Sequence, residues 1–145
     1  MGLGMLELLD SLFAAFHGAL VLFNLTGWIW RRTRRLHLAV IGLTFLSWFG
    51  LGVLYGWGYC PCTDWHWQVK RTLGETDLPY SCVKYYADRL TGVTWDPGLV
   101  DAAVLVLALL ALVLSALTNW GDLHERKTTR GDDPSPRQPG GSANA

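Results

Sequence analysis

Cys60, Cys62 and Cys82 lie in one stretch of the chain, with His66 among them. Thiolate and imidazole suit soft metals, so these four residues make a candidate copper(I) or zinc site. His66 stands one helical turn beyond Thr63 and would face the Cys-Pro-Cys turn. The spacing is a single Cys-x-Cys rather than the paired Cys-x-x-Cys of structural zinc sites, so no metal and no cofactor is the primary expectation. Outside the cytoplasm such thiols are expected to pair. Cys62 with Cys82 is the expected disulfide, closing a loop of about twenty residues and contributing roughly 3 kcal/mol in the chain-entropy model. Cys60 is the alternative partner for Cys82. Pairing of Cys60 with Cys62 is disfavoured, because Pro61 separates them rigidly and disulfide geometry is strict.

A second pattern runs through the first apolar block, where Asp10, His17, Asn24 and Arg31 recur at sevens. Seven residues return to nearly the same helix face, with a drift of about 20°. Polar side chains within lipid face the bundle interior. A proton or substrate path is one reading of the pattern. The simpler one, favoured here, is hydrogen bonding from His17 and Asn24 to Thr44 or Ser47 of a neighbouring helix. His37 and Arg35 are expected to anchor at the inner surface. No Ser-His-Asp set, phosphate-binding loop or dinucleotide fingerprint is present, so no catalytic residue is assigned and no enzyme is expected.

These residues must be positioned by helices in a membrane. The chain has 145 residues, half of them hydrophobic, with twelve basic and twelve acidic residues. A chain without net charge lacks the basic field that nucleic-acid binding requires. The apolar residues fall in three blocks, from about Leu8 to Trp30, Leu36 to Gly58 and Leu99 to Trp120. Each reaches the roughly 20 residues that cross about 30 Å of hydrocarbon. Trp28, Trp30, Trp57, Tyr59, Trp95 and Trp120 stand at their ends, where aromatic rings settle among lipid headgroups. The expected fold is therefore an all-α membrane protein with three transmembrane helices. Residues 1–120 form the membrane domain and residues 121–145, rich in Pro, Gly and Ser, a disordered tail. The N-terminal region carries no Lys or Arg before the first block, so it is not read as a cleaved secretory signal.

Orientation follows from basic residues. Arg31, Arg32, Arg34 and Arg35 join the first two blocks, and Arg126, Lys127 and Arg130 follow the third. The positive-inside rule places both in the cytoplasm, with the N-terminus and the link of residues 59–96 outside. That link is expected to hold two short amphipathic helices along the outer surface. The first has Thr63 as N-cap and Gly74 at its end, with Trp65, Val69 and Leu73 as its apolar stripe. The second covers about Ser81 to Thr91, closed by Gly92, with Val83, Tyr86 and Leu90 on one face. Asp96-Pro97 reads as the cap and first turn of the third span. Gly52-x-x-x-Gly56 and Ala14-x-x-x-Gly18 mark expected contact faces between spans.

The order of His17, Leu36-His37-Leu38, Cys60-Pro61-Cys62-Thr63 and Lys70-Arg71-Thr72-Leu73-Gly74-Glu75 resembles a family of small bacterial inner-membrane proteins, a domain of unknown function. The resemblance covers about Phe16 to Asn119. The family usually has Leu where this chain has Cys62, and a capping box that Asp64 and His66 do not reproduce. It implies three spans and a bacterial inner membrane, and no activity. The expected role is a non-enzymatic accessory or structural membrane protein, with the lipid bilayer and a homo-oligomer or larger membrane complex as partners. The rival is a transporter-like or soft-metal-handling protein using His17, Asn24 and the cluster of Cys60, Cys62, His66 and Cys82.

Overall fold

A computed structural model describes residues 2–131 of the chain. The described residues hold helices and no strand: α1 (Leu3–Thr26), α2 (Arg34–Leu46), α3 (Gly52–Tyr55), α4 (Pro61–Thr72), α5 (Cys82–Thr91) and α6 (Pro97–Gly131). A π-helical turn over Ser47–Leu51 joins α2 to α3 without a break. Three stretches are long and apolar enough to cross a membrane: Leu3–Thr26, Arg34–Tyr55 and Pro97–Glu125.

Local chemistry explains the boundaries. The first span stops at Thr26, short of Trp30, because the chain turns there. The Thr33 hydroxyl donates to the Gly27 carbonyl at 2.6 Å, and Trp28 Nε1 donates to the Leu25 carbonyl at 2.8 Å. The second ends at Gly56, whose φ of 108° lies where L side chains are strained. Asp96 caps the third as expected, its Oδ1 accepting from the Leu99 amide at 2.9 Å with Pro97 at the first helical position. That helix continues past Trp120 to Gly131, which corrects the expected start of the disordered tail at Gly121. Asp122 and Glu125 on this extension find cationic partners in the basic loop, and no proline interrupts it. Residues 132–145 of the expected tail lie outside the described residues.

The distribution of polarity is that of a protein solvated by lipid. Leu8, Leu12, Phe16, Leu43, Leu46, Leu110 and Leu117 point outward, and the most deeply buried side chains are Ile41, His37, His66 and Ser115. In hydrocarbon an apolar surface gains nothing by leaving its solvent, whereas polar groups must find one another. His37 does so for all three spans. Its Nε2 donates to the Asn24 carbonyl at 2.9 Å, since a carbonyl oxygen can only accept. In the neutral ring Nδ1 is then left to accept the Ser115 hydroxyl proton, at 2.9 Å. Asn119 extends the seam, with Nδ2 donating to the carbonyls of Ser115 and Arg34. Ala108, Ala111 and Ser115 are the buried stripe of α6, and their small size admits α2. His37 is therefore an interhelical hub and not the surface anchor expected from its position near the end of the second block.

The two glycine steps do not join spans. The atoms nearest to a Cβ on Gly52 would be the backbone of Trp57 and Gly58, and Gly18 faces open space. The close approach falls instead at Gly27, where a Cβ would lie 2.8 Å from His37 Cδ2.

Candidate functional site

The link between the second and third spans folds over α1 as a cap. Its first helix starts at Pro61, with extended Cys60 as N-cap, three residues before the expected cap Thr63. Proline needs no amide partner in the first turn, so the helix begins there. The second helix is capped by Ser81, whose hydroxyl oxygen accepts from the Lys84 amide, and closed by left-handed Gly92 as expected.

The inward face of α4 is not the stripe of Trp65, Val69 and Leu73. Thr63, His66, Trp67 and Lys70 are buried, and Trp65 is more than half exposed. On α5, Cys82, Lys84 and Tyr85 are buried; of the expected face of Val83, Tyr86 and Leu90, Tyr86 packs against the Trp67 cluster and Val83 lines a cavity, and only Leu90 turns away, at 85% exposed. On α4 the polar face turns inward because His66 and Lys70 find Asp10 and Glu75 there.

His66 and Lys70 are four apart and share a helix face, so both reach one carboxylate. His66 Nε2 lies 2.7 Å from Asp10 Oδ1, and Lys70 Nζ lies 3.0 Å from the same oxygen. Lys70 also meets Glu75 Oε1 at 3.2 Å. The other Glu75 oxygen accepts from the Tyr85 hydroxyl at 2.6 Å and stands 3.6 Å from Arg89. Lys70 and Arg89 each sit about 5 Å from the Tyr85 ring centre, within cation–π range. Burial works against the charge on Lys70, but Asp10, Tyr85 and Glu75 outweigh it and hold its pKa above the ordinary lysine range. The Tyr85 hydrogen bond, with Lys70 and Arg89 behind it, holds the Glu75 carboxyl below the ordinary range. Asp10, Lys70, Glu75 and Arg89 are thus charged groups that pair with one another and hold the cap on α1, while His66 Nδ1 is left without a hydrogen-bond partner.

An apolar layer supports it. Trp67, Cys82 and Tyr85 pack together with Leu78 and Tyr86, and Trp67 Nε1 donates to the Pro79 carbonyl at 2.7 Å. The Tyr80 hydroxyl donates to the Gly56 carbonyl at 3.0 Å, tying the link to the end of the second span. At the other end of the bundle, Arg34 reaches both oxygens of Asp122 at 3.0 Å, and Arg31 pairs with Asp122 and Glu125.

The candidate residues read from the sequence separate into groups. Cys60, Cys62 and Cys82 are free thiols in this structure, without the expected Cys62–Cys82 bond. Burial pushes the Cys82 thiol up to about 12 and also raises Cys62, so both stay protonated at neutral pH. Cys60 and Cys82 line one cavity that Cys62 does not reach. His66 turns to Asp10 and not to the thiols, and no group of three or more His, Cys, Asp or Glu suited to a metal occurs among the described residues. Asn24 Nδ2 donates to Thr44 Oγ1 at 3.1 Å, the interhelical bond expected of it. His17 is buried, and its Nδ1 has no partner.

The lock of Asp10, Lys70, Glu75 and Tyr85 was not assembled from the sequence. The available signal was Asp10 itself, a carboxylate inside an apolar block that requires a cation. Lys70, Arg71, Lys84 and Arg89 of the link were the candidates on its side of the membrane.

Residues 7–120 match the model of a family described as Protein of Unknown function (DUF2784). The chain belongs to that family. No curated protein and no solved structure matches it. Within DUF2784 the matched residues contain every member of the cap lock and the whole His37 hub, including Asn24, Ser115 and Asn119. Asp122 and Glu125, which hold the basic loop, lie beyond the match.

Proposed function

We propose that this DUF2784 protein is a non-enzymatic accessory component of a bacterial inner membrane, with its cap outside and the Arg31–Arg35 loop inside. The observation that carries this reading is the mutual satisfaction of the cap's charges. Lys70 is 3% exposed and its two carboxylate partners hold it in place. Groups engaged in this way are suited to rigidity and not to turnover. Meanwhile the span faces present large apolar side chains to lipid or to other helices. The basic loop and the start of the cytoplasmic extension meet at one end through Arg34 and Asp122, in keeping with the positive-inside orientation. Purification in mild detergent and mass measurement of the intact particle test the role. An assembly of constant stoichiometry, heavier than one 16.1 kDa chain, is expected. A lone chain that moves a solute across reconstituted vesicles would overturn it and favour the transporter-like reading, for which the cavity beside His17 and Asn24 speaks.

On the outer side the cysteines meet an oxidising compartment in this reading. Cys82 then pairs with Cys60 in preference to Cys62, because Cys60 shares a cavity wall with it.

A further inference from the structure

A cavity of about 220 Å³ lies between the three spans and the underside of the cap. Its inner walls are mainly aliphatic, with Leu20, Val21, Ile41, Val104, Leu105 and Ala108 among them. On α6 the lining runs from Asp101 to Ala108, about two helical turns. Trp57, Tyr80 and Asp101 are exposed members of the lining and form its mouth beside the link.

Asp101 is an unmatched charge at that mouth. It stands one turn into α6, within a stretch long and apolar enough to cross a membrane. A carboxylate in such a span calls for a cation. Among the described residues no lysine or arginine lines the cavity or pairs with Asp101. Lys70, Lys84 and Arg89 of the cap are committed to Asp10, Asp88 and Glu75. Burial and the Asp101 carboxylate both raise the Tyr80 pKa, so these two groups are neighbours. Yet the Tyr80 hydroxyl spends its single proton on the Gly56 carbonyl and has none to give Asp101.

We propose that this cavity binds a primary alkylammonium ion, with its chain among the aliphatic walls and its ammonium group on Asp101. A cavity of roughly 150 Å³ takes the six carbons of benzene, so this larger one has room for a chain of about eight. The ammonium brings a positive charge and three N–H donors to a carboxylate that has no partner. Trp57 and Tyr80 at the mouth add aromatic faces, which attract a cation. A long apolar body with one polar head suits a pocket that is apolar inside and charged at one point. The same ammonium chemistry occurs in an aminophospholipid of the bilayer and in free long-chain amines. This site goes beyond the accessory role proposed above and does not depend on it.

The test is equilibrium dialysis of octylamine against the full chain in phosphatidylcholine nanodiscs, with uptake by empty nanodiscs subtracted. One saturable equivalent per chain is expected, bound at least tenfold tighter than 1-octanol, which has the same chain and no charge. Asp101→Asn is expected to weaken octylamine at least tenfold and to leave octanol unchanged, so that octanol reports an intact cavity. Leu105→Trp, which fills the cavity from its wall, should weaken both. The proposal is overturned by equal affinity for amine and alcohol, or by the absence of saturable binding. Amine binding that either substitution leaves unchanged overturns it too. Phosphatidylcholine has no N–H to donate, so the source can be read by adding phosphatidylethanolamine to the discs. Displacement of octylamine assigns the bilayer lipid, and no displacement assigns a free amine.

Discussion

His66 Nε2 and Asp10 Oδ1 meet at 2.7 Å although 56 residues separate them along the chain. His66 is fully buried, and the same carboxylate also holds Lys70. One acidic side chain in the N-terminal half of α1 thus positions the first helix of the cap. Removing it leaves a buried ammonium group without its strongest partner. Asp10→Leu is expected to destabilise the folded protein by about 3 kcal/mol. Asp10→Leu with Lys70→Met should recover much of that loss, because a well-packed apolar pair avoids the desolvation of both ions. Thermal unfolding in detergent measures both. Additive losses in the double variant would show that the two residues do not act as a pair.

The lock also sets a pH window. Glu75 is held below its ordinary value of 4.5, so its stabilisation is present above that pH and is lost as pH falls through its lower folded value. Lys70 is held above its ordinary 10.5, so its stabilisation is present below that pH and is lost as pH rises through its higher folded value. The cap should be equally stable from about pH 5 to 10 and should loosen outside that range. Near-ultraviolet circular dichroism of the Trp67–Tyr85 layer follows it. Glu75→Gln should shrink the acid limb, and an unchanged limb in that variant would assign the effect to other carboxylates.

Gly27 and Gly18 lie in and beside the same span and should respond oppositely to an added methyl group. At Gly27 the methyl would meet His37 Cδ2 at 2.8 Å and the Phe23 carbonyl at 2.7 Å. Gly27→Ala is expected to cost about 1–3 kcal/mol by forcing the hub apart. At Gly18 nothing lies within 4 Å, and alanine favours the helix by roughly 0.8 kcal/mol. A melting temperature that falls for Gly18→Ala, or that holds for Gly27→Ala, contradicts this packing.

Topology is checked with reporter fusions placed after Trp120 and within residues 75–79. Opposite compartments are expected, with the first site cytoplasmic. Finding both sites in one compartment would show that the third stretch, Pro97–Glu125, does not cross the membrane.

Thiol labelling of unreduced protein from the membrane, with peptide mapping, decides the cysteines. Cys62 is expected to label, while Cys60 and Cys82 react only after reduction. Labelling of Cys60 with protection of Cys62 and Cys82 would restore the pairing expected from the sequence. Labelling of all three would remove the bond.

The three spans could be read from composition because lipid acts on each helix separately. A block of about twenty apolar residues is driven into hydrocarbon whatever its neighbours are. The cap at Asp96 and the closure at Gly92 were legible for the same reason, since each depends on a few adjacent residues. The bond from Asn24 to Thr44 was foreseen because an amide in lipid has few partners within reach. The inward face of α4 was not. Periodicity marks an apolar stripe without saying what it meets, and Trp65 of that stripe is more than half exposed while Val69 and Leu73 are half-buried. Only the packing of α4 on α1 brought His66 and Lys70 to Asp10, and only the approach of α2 to α6 made His37 a hub on Ser115. Those contacts join residues 56 or more positions apart, and what selects them is the cost of leaving a buried charge without a partner, which is settled only in three dimensions.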